Sequence, residues 1–159
     1  MHKALVMIAE NCTNCSQCEM MCSYELTGAF NAPKSRIKIF PLENPDRNVP
    51  FTCTQCEEAW CMRACPVEAI TVDEKTGAKV VSEERCVGCK VCTIACPFGT
   101  INYDFDRGKV TKCDLCGGEP ACAKVCPQDA IHFVDLSATG MQRMKESAAK
   151  ADENQPSQH

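Results

Sequence analysis

Sixteen cysteines in four short groups constrain this chain more than any other feature. The third group is the most regular: Cys86, Cys89, Cys92 and Cys96, followed by Pro97. Its spacing is C-x2-C-x2-C-x3-C-P, the bacterial run that holds 4Fe-4S clusters. Three closely spaced thiolates cap three corners of one cubane. The fourth, Cys96, lies one helical turn past Cys92 and points elsewhere. In two-cluster ferredoxins that last cysteine ligates the other cluster.

The remaining groups vary this theme. Cys12, Cys15, Cys18 and Cys22 repeat the spacing, but Ser23 stands where proline is expected. Cys53, Cys56, Cys61 and Cys65-Pro66 are spaced x2, x4, x3, and Cys113, Cys116, Cys122 and Cys126-Pro127 are spaced x2, x5, x3. Three exits are near-copies: Cys65-Pro-Val-Glu-Ala-Ile70, Cys96-Pro-Phe-Gly-Thr-Ile101 and Cys126-Pro-Gln-Asp-Ala-Ile131. In each, proline stops the helical turn and isoleucine starts a strand. Four groups of four use all 16 cysteines, so the expected cofactors are four 4Fe-4S clusters.

Other uses of these cysteines fit less well. Zinc ribbons need neither the third cysteine nor the proline. No CxxC is followed by histidine, which excludes attached c-type haem. His2, His132 and His159 are too scattered for a site and read as surface residues. Cysteine at this level in a short secreted chain signals disulfides, but no signal peptide is recognisable. The apolar run Ala4–Ala9 is too short for one. No stretch approaches the ~20 apolar residues of a membrane span. A cytoplasmic location with reduced thiols is therefore expected. The net charge of −4 argues against nucleic acid, and each oxidised tetrathiolate cluster adds about −2.

Short strands are expected at Lys3–Ile8, Arg36–Phe40, Ile70–Val72, Ala78–Val81, around Ile101–Phe105, at Lys109–Thr111 and at Ile131–Val134. Tyr24–Pro33 reads as a loop and Leu42–Pro50 as a surface connector. The crossed rule leaves two pairings of the groups open. Sequential pairing joins the first with the second and the third with the fourth. Nested pairing joins the second with the third and the first with the fourth. The short link from Pro66 to Arg85 favours the nested scheme, with the first and last strands closing the outer unit. The four ligand sets are then Cys53, Cys56, Cys61, Cys96; Cys65, Cys86, Cys89, Cys92; Cys12, Cys15, Cys18, Cys126; and Cys22, Cys113, Cys116, Cys122. The expected fold class is α+β: two nested bacterial-ferredoxin-like units with short hairpins, short helices and many loops. Residues 1–136 form the four-cluster domain, with an outer unit of 1–50 and 113–136 and an inner unit of 51–112. Residues 137–159 form a polar tail, with a candidate docking helix at Met141–Ala151.

The second and fourth motifs resemble the four-cluster iron–sulfur subunits of molybdopterin and tungstopterin oxidoreductases. The resemblance covers about Lys3 to Leu136, and nested pairing is that family's arrangement. A narrower likeness, Cys22-Ser with Gly28, Phe30, Asn31 and Ser35-Arg-Ile37, is to the small subunits of bacterial multi-subunit tungsten aldehyde oxidoreductases. It extends to iron–sulfur subunits linked to tungsten benzoyl-coenzyme-A reductases. The resemblance implies an electron-transfer subunit that is not catalytic alone, in a hetero-oligomer. The implied partners are a large tungsten- or molybdenum-pterin catalytic subunit, aldehyde-oxidising, and a flavin (FAD) subunit passing electrons to NAD, or a ferredoxin. A free polyferredoxin is the alternative, as are benzoyl-coenzyme-A reductase, formate dehydrogenase and hydrogenase systems. The chain itself carries no G-x-G-x-x-G, P-loop or H-E-x-x-H. Lys90 and Arg63 lie inside motifs, as cations that raise a cluster potential or as solvated charges. Trp60, beside Cys61, reads equally as a cluster shield, an interface residue or packing.

Overall fold

The computed structural model describes residues 2–42 and 47–136. Four antiparallel two-stranded ribbons and four short α-helices make up the described fold. β1 (Lys3–Met7) pairs with β8 (Ile131–Asp135), with Lys3 opposite Asp135 and Met7 opposite Ile131. The two ends of the described chain thus share one ribbon. β2 (Lys38–Pro41) pairs with β3 (Asn48–Phe51), β4 (Ile70–Val72) with β5 (Lys79–Val81), and β6 (Asn102–Asp104) with β7 (Lys109–Thr111).

The helices are α1 (Gln17–Thr27), α2 (Trp60–Arg63), α3 (Val91–Ala95) and α4 (Ala121–Lys124). Each carries the third cysteine of one motif, and α1 carries the fourth as well; in the other three the fourth cysteine lies just past the helix end. α1 packs against α4 and α2 against α3, so the first motif meets the fourth and the second meets the third. The buried apolar side chains form two clusters, the first of which also takes in Cys53 and Ala78. One cluster joins Leu5, Ile37, Leu115 and Ile131; the other joins Ala69, Ile70, Ile101 and Val110. The isoleucines of the three repeated exits are all buried. The Lys3 N–H donates to the Thr76 carbonyl at 3.0 Å, which ties β1 to the turn before β5.

Two segments differ from expectation. Tyr24–Pro33 is not all loop, because α1 continues to Thr27 and ends at Gly28, whose φ of +71° forms the left-handed cap. With Ser23 in place of proline, the backbone N–H remains to continue the helix. The fully buried Ser23 hydroxyl donates to the Met20 carbonyl and accepts from the Asn31 N–H. The Leu42–Pro50 connector contains most of β3, which three prolines, counting Pro41, had concealed. A two-stranded ribbon leaves outward N–H groups unpaired, so Pro50 costs no ladder bond. The expected Arg36–Phe40 strand also begins two residues later, at Lys38. The candidate docking helix lies outside the described residues. Among the described residues no helix is long and apolar enough to cross a membrane.

Candidate metal centres

None of the 16 cysteines is in a disulfide. Three cavities are each walled by four of them. One is lined by Cys53, Cys56, Cys61 and Cys96, the second by Cys22, Cys113, Cys116 and Cys122, and the third by Cys12, Cys15, Cys18 and Cys126. In every case three cysteines come from one motif and the fourth is the last cysteine of the motif packed against it. Among the remaining four, the Cys92 thiol has Cys65, Cys86 and Cys89 as electrostatic neighbours, although Cys61 of the facing motif acts on it most strongly.

Local backbone geometry produces this convergence. In each motif the residue before the second cysteine takes a positive φ: Asn14 at 58°, Gln55 at 52°, Gly88 at 70° and Leu115 at 59°. That left-handed step reverses the chain so that the first two sulfurs face one point. Only Gly88 is sterically obliged to be glycine, since a Cβ there would lie 2.3 Å from the Gly108 carbonyl oxygen.

The fourth cysteine of each motif receives a hydrogen bond of its own. The Ala69 N–H donates to Cys65 Sγ and the Ala130 N–H to Cys126 Sγ, both at 3.2 Å. Cys96 Sγ lies 3.5 Å from Thr100 Oγ1. These donors sit four residues beyond their cysteines, at the end of the Cys-Pro-x-x turn. The first motif lacks that turn, and the Arg36 N–H serves Cys22 Sγ instead, at 3.3 Å.

Electrostatics divide the thiols. Burial pushes Cys18 and Cys113 up to about 12 and Cys92 up to about 11, and it raises Cys61, Cys116 and Cys122 as well. Cys96 goes the other way: its burial is outweighed by hydrogen bonds from the Thr100 hydroxyl and the N–H groups of Phe98, Gly99 and Thr100.

A single tetrahedral metal ion would hold its sulfurs about 3.8 Å apart, given a Zn–S bond near 2.3 Å. Among the described residues no three Cys, His, Asp or Glu side chains gather that tightly. Cavities lined by four cysteines drawn from two motifs instead suit a polynuclear group with four metal corners. The donor set therefore fits a 4Fe-4S cubane.

Several polar residues around these cavities carried no signal in the sequence. Arg36 pairs with Asp114 at 2.7 Å, while its buried Nε has no partner. It lines the Cys22–Cys113–Cys116–Cys122 cavity. Gln55, Lys79 and Lys112 line the Cys53–Cys56–Cys61–Cys96 cavity, and all three are buried. Lys112 extends an alternating strand, where lysine ordinarily marks the solvated face. By contrast, the cations noticed in the sequence point outward. Arg63 pairs with Glu58 in solvent, and Lys90 sits over the Tyr103 ring at 4.0 Å. Trp60 is 62% exposed. His2 Nε2 lies 2.6 Å from the Gln55 carbonyl. A further cavity of about 520 Å³ is lined by no cysteine; Lys34 bridges Asp104 and Asp106 in its wall.

The family model described as a 4Fe-4S dicluster domain matches residues 47–136. The polyferredoxin-like subunit of an aliphatic sulfonate oxidoreductase from Pyrococcus furiosus is 43% identical over 133 residues, covering 82% of this chain and 76% of that protein. An uncharacterised ferredoxin of Methanocaldococcus jannaschii is 35% identical, over 85% of this chain and 74% of its own length. Formate hydrogenlyase subunit 2 of Escherichia coli is 31% identical, over 85% of this chain and 83% of its own.

Proposed function

The chain belongs to the 4Fe-4S dicluster family, and from that premise we propose that it is the electron-transfer subunit of an oxidoreductase complex. In this reading it carries four 4Fe-4S clusters in the nested arrangement. Cys53, Cys56, Cys61 and Cys96 hold one, and Cys65, Cys86, Cys89 and Cys92 a second. Cys12, Cys15, Cys18 and Cys126 hold the third, and Cys22, Cys113, Cys116 and Cys122 the fourth. Inner (51–112) and outer (1–50 with 113–136) units divide the domain accordingly. The observation that carries the reading is the crossed set of cysteines around each cavity.

Each cluster supplies a one-electron site whose potential its hydrogen bonds and solvent exposure tune. The protein contributes buried thiols, N–H donors to sulfur and exclusion of water. No organic substrate is converted on this chain; a catalytic partner holds that site. The relatives include subunits of a sulfonate oxidoreductase and a formate hydrogenlyase, which supports a subunit role over a free carrier. Within that role, the partner is a tungsten or molybdenum pterin subunit that oxidises aldehydes, with a flavin subunit or ferredoxin taking the electrons, in the cytoplasm.

The test is elemental analysis of the complex captured anaerobically through this chain. About 16 iron and 16 sulfide per copy, beyond the clusters of any partner, follow from four cubanes. Tungsten in a large co-purifying subunit supports the aldehyde branch, and molybdenum moves the partner to a formate- or reductase-type enzyme. Zinc without sulfide would overturn the reading.

A further inference from the structure

We infer that the buried ammonium of Lys112 is the electrostatic link between two of the proposed cluster sites, raising the reduction potential of both. This deepens the four-cluster reading and rests on it.

Lys112 is 2% exposed and immediately precedes Cys113. Its Nζ donates to three oxygens: the Cys113 carbonyl at 2.9 Å, Gln55 Oε1 at 3.4 Å and the Lys79 carbonyl. None of these oxygens carries a proton. An ammonium has three donors and no lone pair, whereas a neutral amine would turn its lone pair on one of the oxygens. The surroundings are therefore built for the charged form.

Among the described residues no carboxylate pairs with it. A buried charge without a counter-charge is strongly unfavourable. What lies beside it is cysteine. Lys112 lines the cavity of Cys53, Cys56, Cys61 and Cys96, and the carbonyl it grips belongs to Cys113 in the wall of the adjoining cavity. The Cys61 and Cys113 thiols both feel its charge. Net-negative tetrathiolate clusters in these two cavities are the missing counter-ions.

Gln55 holds the ammonium in place. It is wholly buried. Its Oε1 accepts from the Lys79 N–H at 2.9 Å as well as from Lys112, and its Nε2 donates to the Cys113 carbonyl at 2.7 Å. One side chain thus ties the second motif to the fourth around a fixed positive charge. Reducing either cluster adds one negative charge beside this cation, so the reduced state is favoured.

The test uses the full chain with its co-purifying partners, prepared anaerobically as wild type, K112M and K112R. Iron and sulfide are counted, and the clusters are titrated electrochemically with paramagnetic resonance as the readout. In K112M, two of the four centres should become harder to reduce. At the ambient potential where they are half-reduced in the wild type, the reduced-to-oxidised ratio should fall about tenfold, a 59 mV downward shift for a one-electron couple. The other two centres should not move, and K112R should stay near the wild type. Four unchanged potentials in a fully loaded K112M overturn the inference, as does an equal shift in K112R. If K112M fails to load iron, loading retained by K112R supports the counter-charge role, and failure of both overturns it. A wild type without about 16 iron sinks the four-cluster reading itself, so the two failures are told apart.

Discussion

Burial pushes the Cys18 and Cys113 thiols up to about 12 and Cys92 up to about 11, so in the unfilled chain they hold their protons at neutral pH. As metal ligands they must be thiolates, and loading releases those protons. Reconstitution with iron and sulfide should therefore improve as pH rises from about 7 to 9, measured as the yield of the visible absorption band. The stability of the unfilled chain runs the other way. The buried Cys18, Cys92 and Cys113 thiols have folded-state values above the unfolded value of about 8.5. Their contribution is present below that value and is lost as pH rises toward the folded values. Arg36 acts at the same scale. Burial raises the Asp114 carboxyl, but the charge and hydrogen bond of Arg36 outweigh it and the net direction is down. Removing the guanidinium in R36M should cost about 1–2 kcal/mol. That is less than the 3–5 kcal/mol of a broken buried pair, because Asp114 is 39% exposed and solvent screens it. The measurement is anaerobic denaturant unfolding followed by loss of the cluster absorption.

At the scale of the element, one residue separates the first motif from the other three. Proline after the fourth cysteine ends the helical turn and lets a backbone N–H reach the sulfur four residues back. Ser23 instead lets α1 run on to Thr27, and the donor to Cys22 comes from Arg36 after a longer excursion. Restoring the common pattern with S23P should therefore damage this protein. It places proline inside α1, at a cost of about 3 kcal/mol or more, and removes the hydroxyl that holds Met20 and Asn31. The expected outcome is loss of the centre lined by Cys22, Cys113, Cys116 and Cys122, seen as about four fewer iron per chain. A fully loaded S23P would show that the extended helix is dispensable.

For the whole molecule, the pairing of α1 with α4 and of α2 with α3 makes each motif depend on another. Cys96 belongs to the third motif but lines the cavity of the second. In C96S the perturbed spectroscopic signal should be that of the Cys53–Cys56–Cys61 centre, while the centre of Cys86, Cys89 and Cys92 keeps its spectrum. C65S should do the reverse. If each substitution instead altered the centre of its own motif, the crossed arrangement would be wrong.

Spacing alone marked the sixteen thiols as candidate ligands, because ligand separation along a chain is set by local turn geometry. The repeated Cys-Pro exits likewise announced three buried isoleucines: Ile70 and Ile131 begin β4 and β8, and Ile101 directly precedes β6. Short strands were readable wherever alternation was clean, as in β4 with β5 and β6 with β7. Which motifs pack together could not be read with certainty, because the pairing depends on contacts between residues far apart in sequence, such as β1 against β8. The continuation of α1 and the presence of β3 were hidden by residues whose usual meaning was suspended: a serine that a buried hydroxyl network holds in a helix, and a proline on the unpaired side of a ribbon. Lys112 and Gln55 were hidden most fully. A lysine beside a strand and a glutamine between cysteines look solvated in one dimension, and only tertiary packing, which removes the water around them, turns them into a fixed charge and its holder.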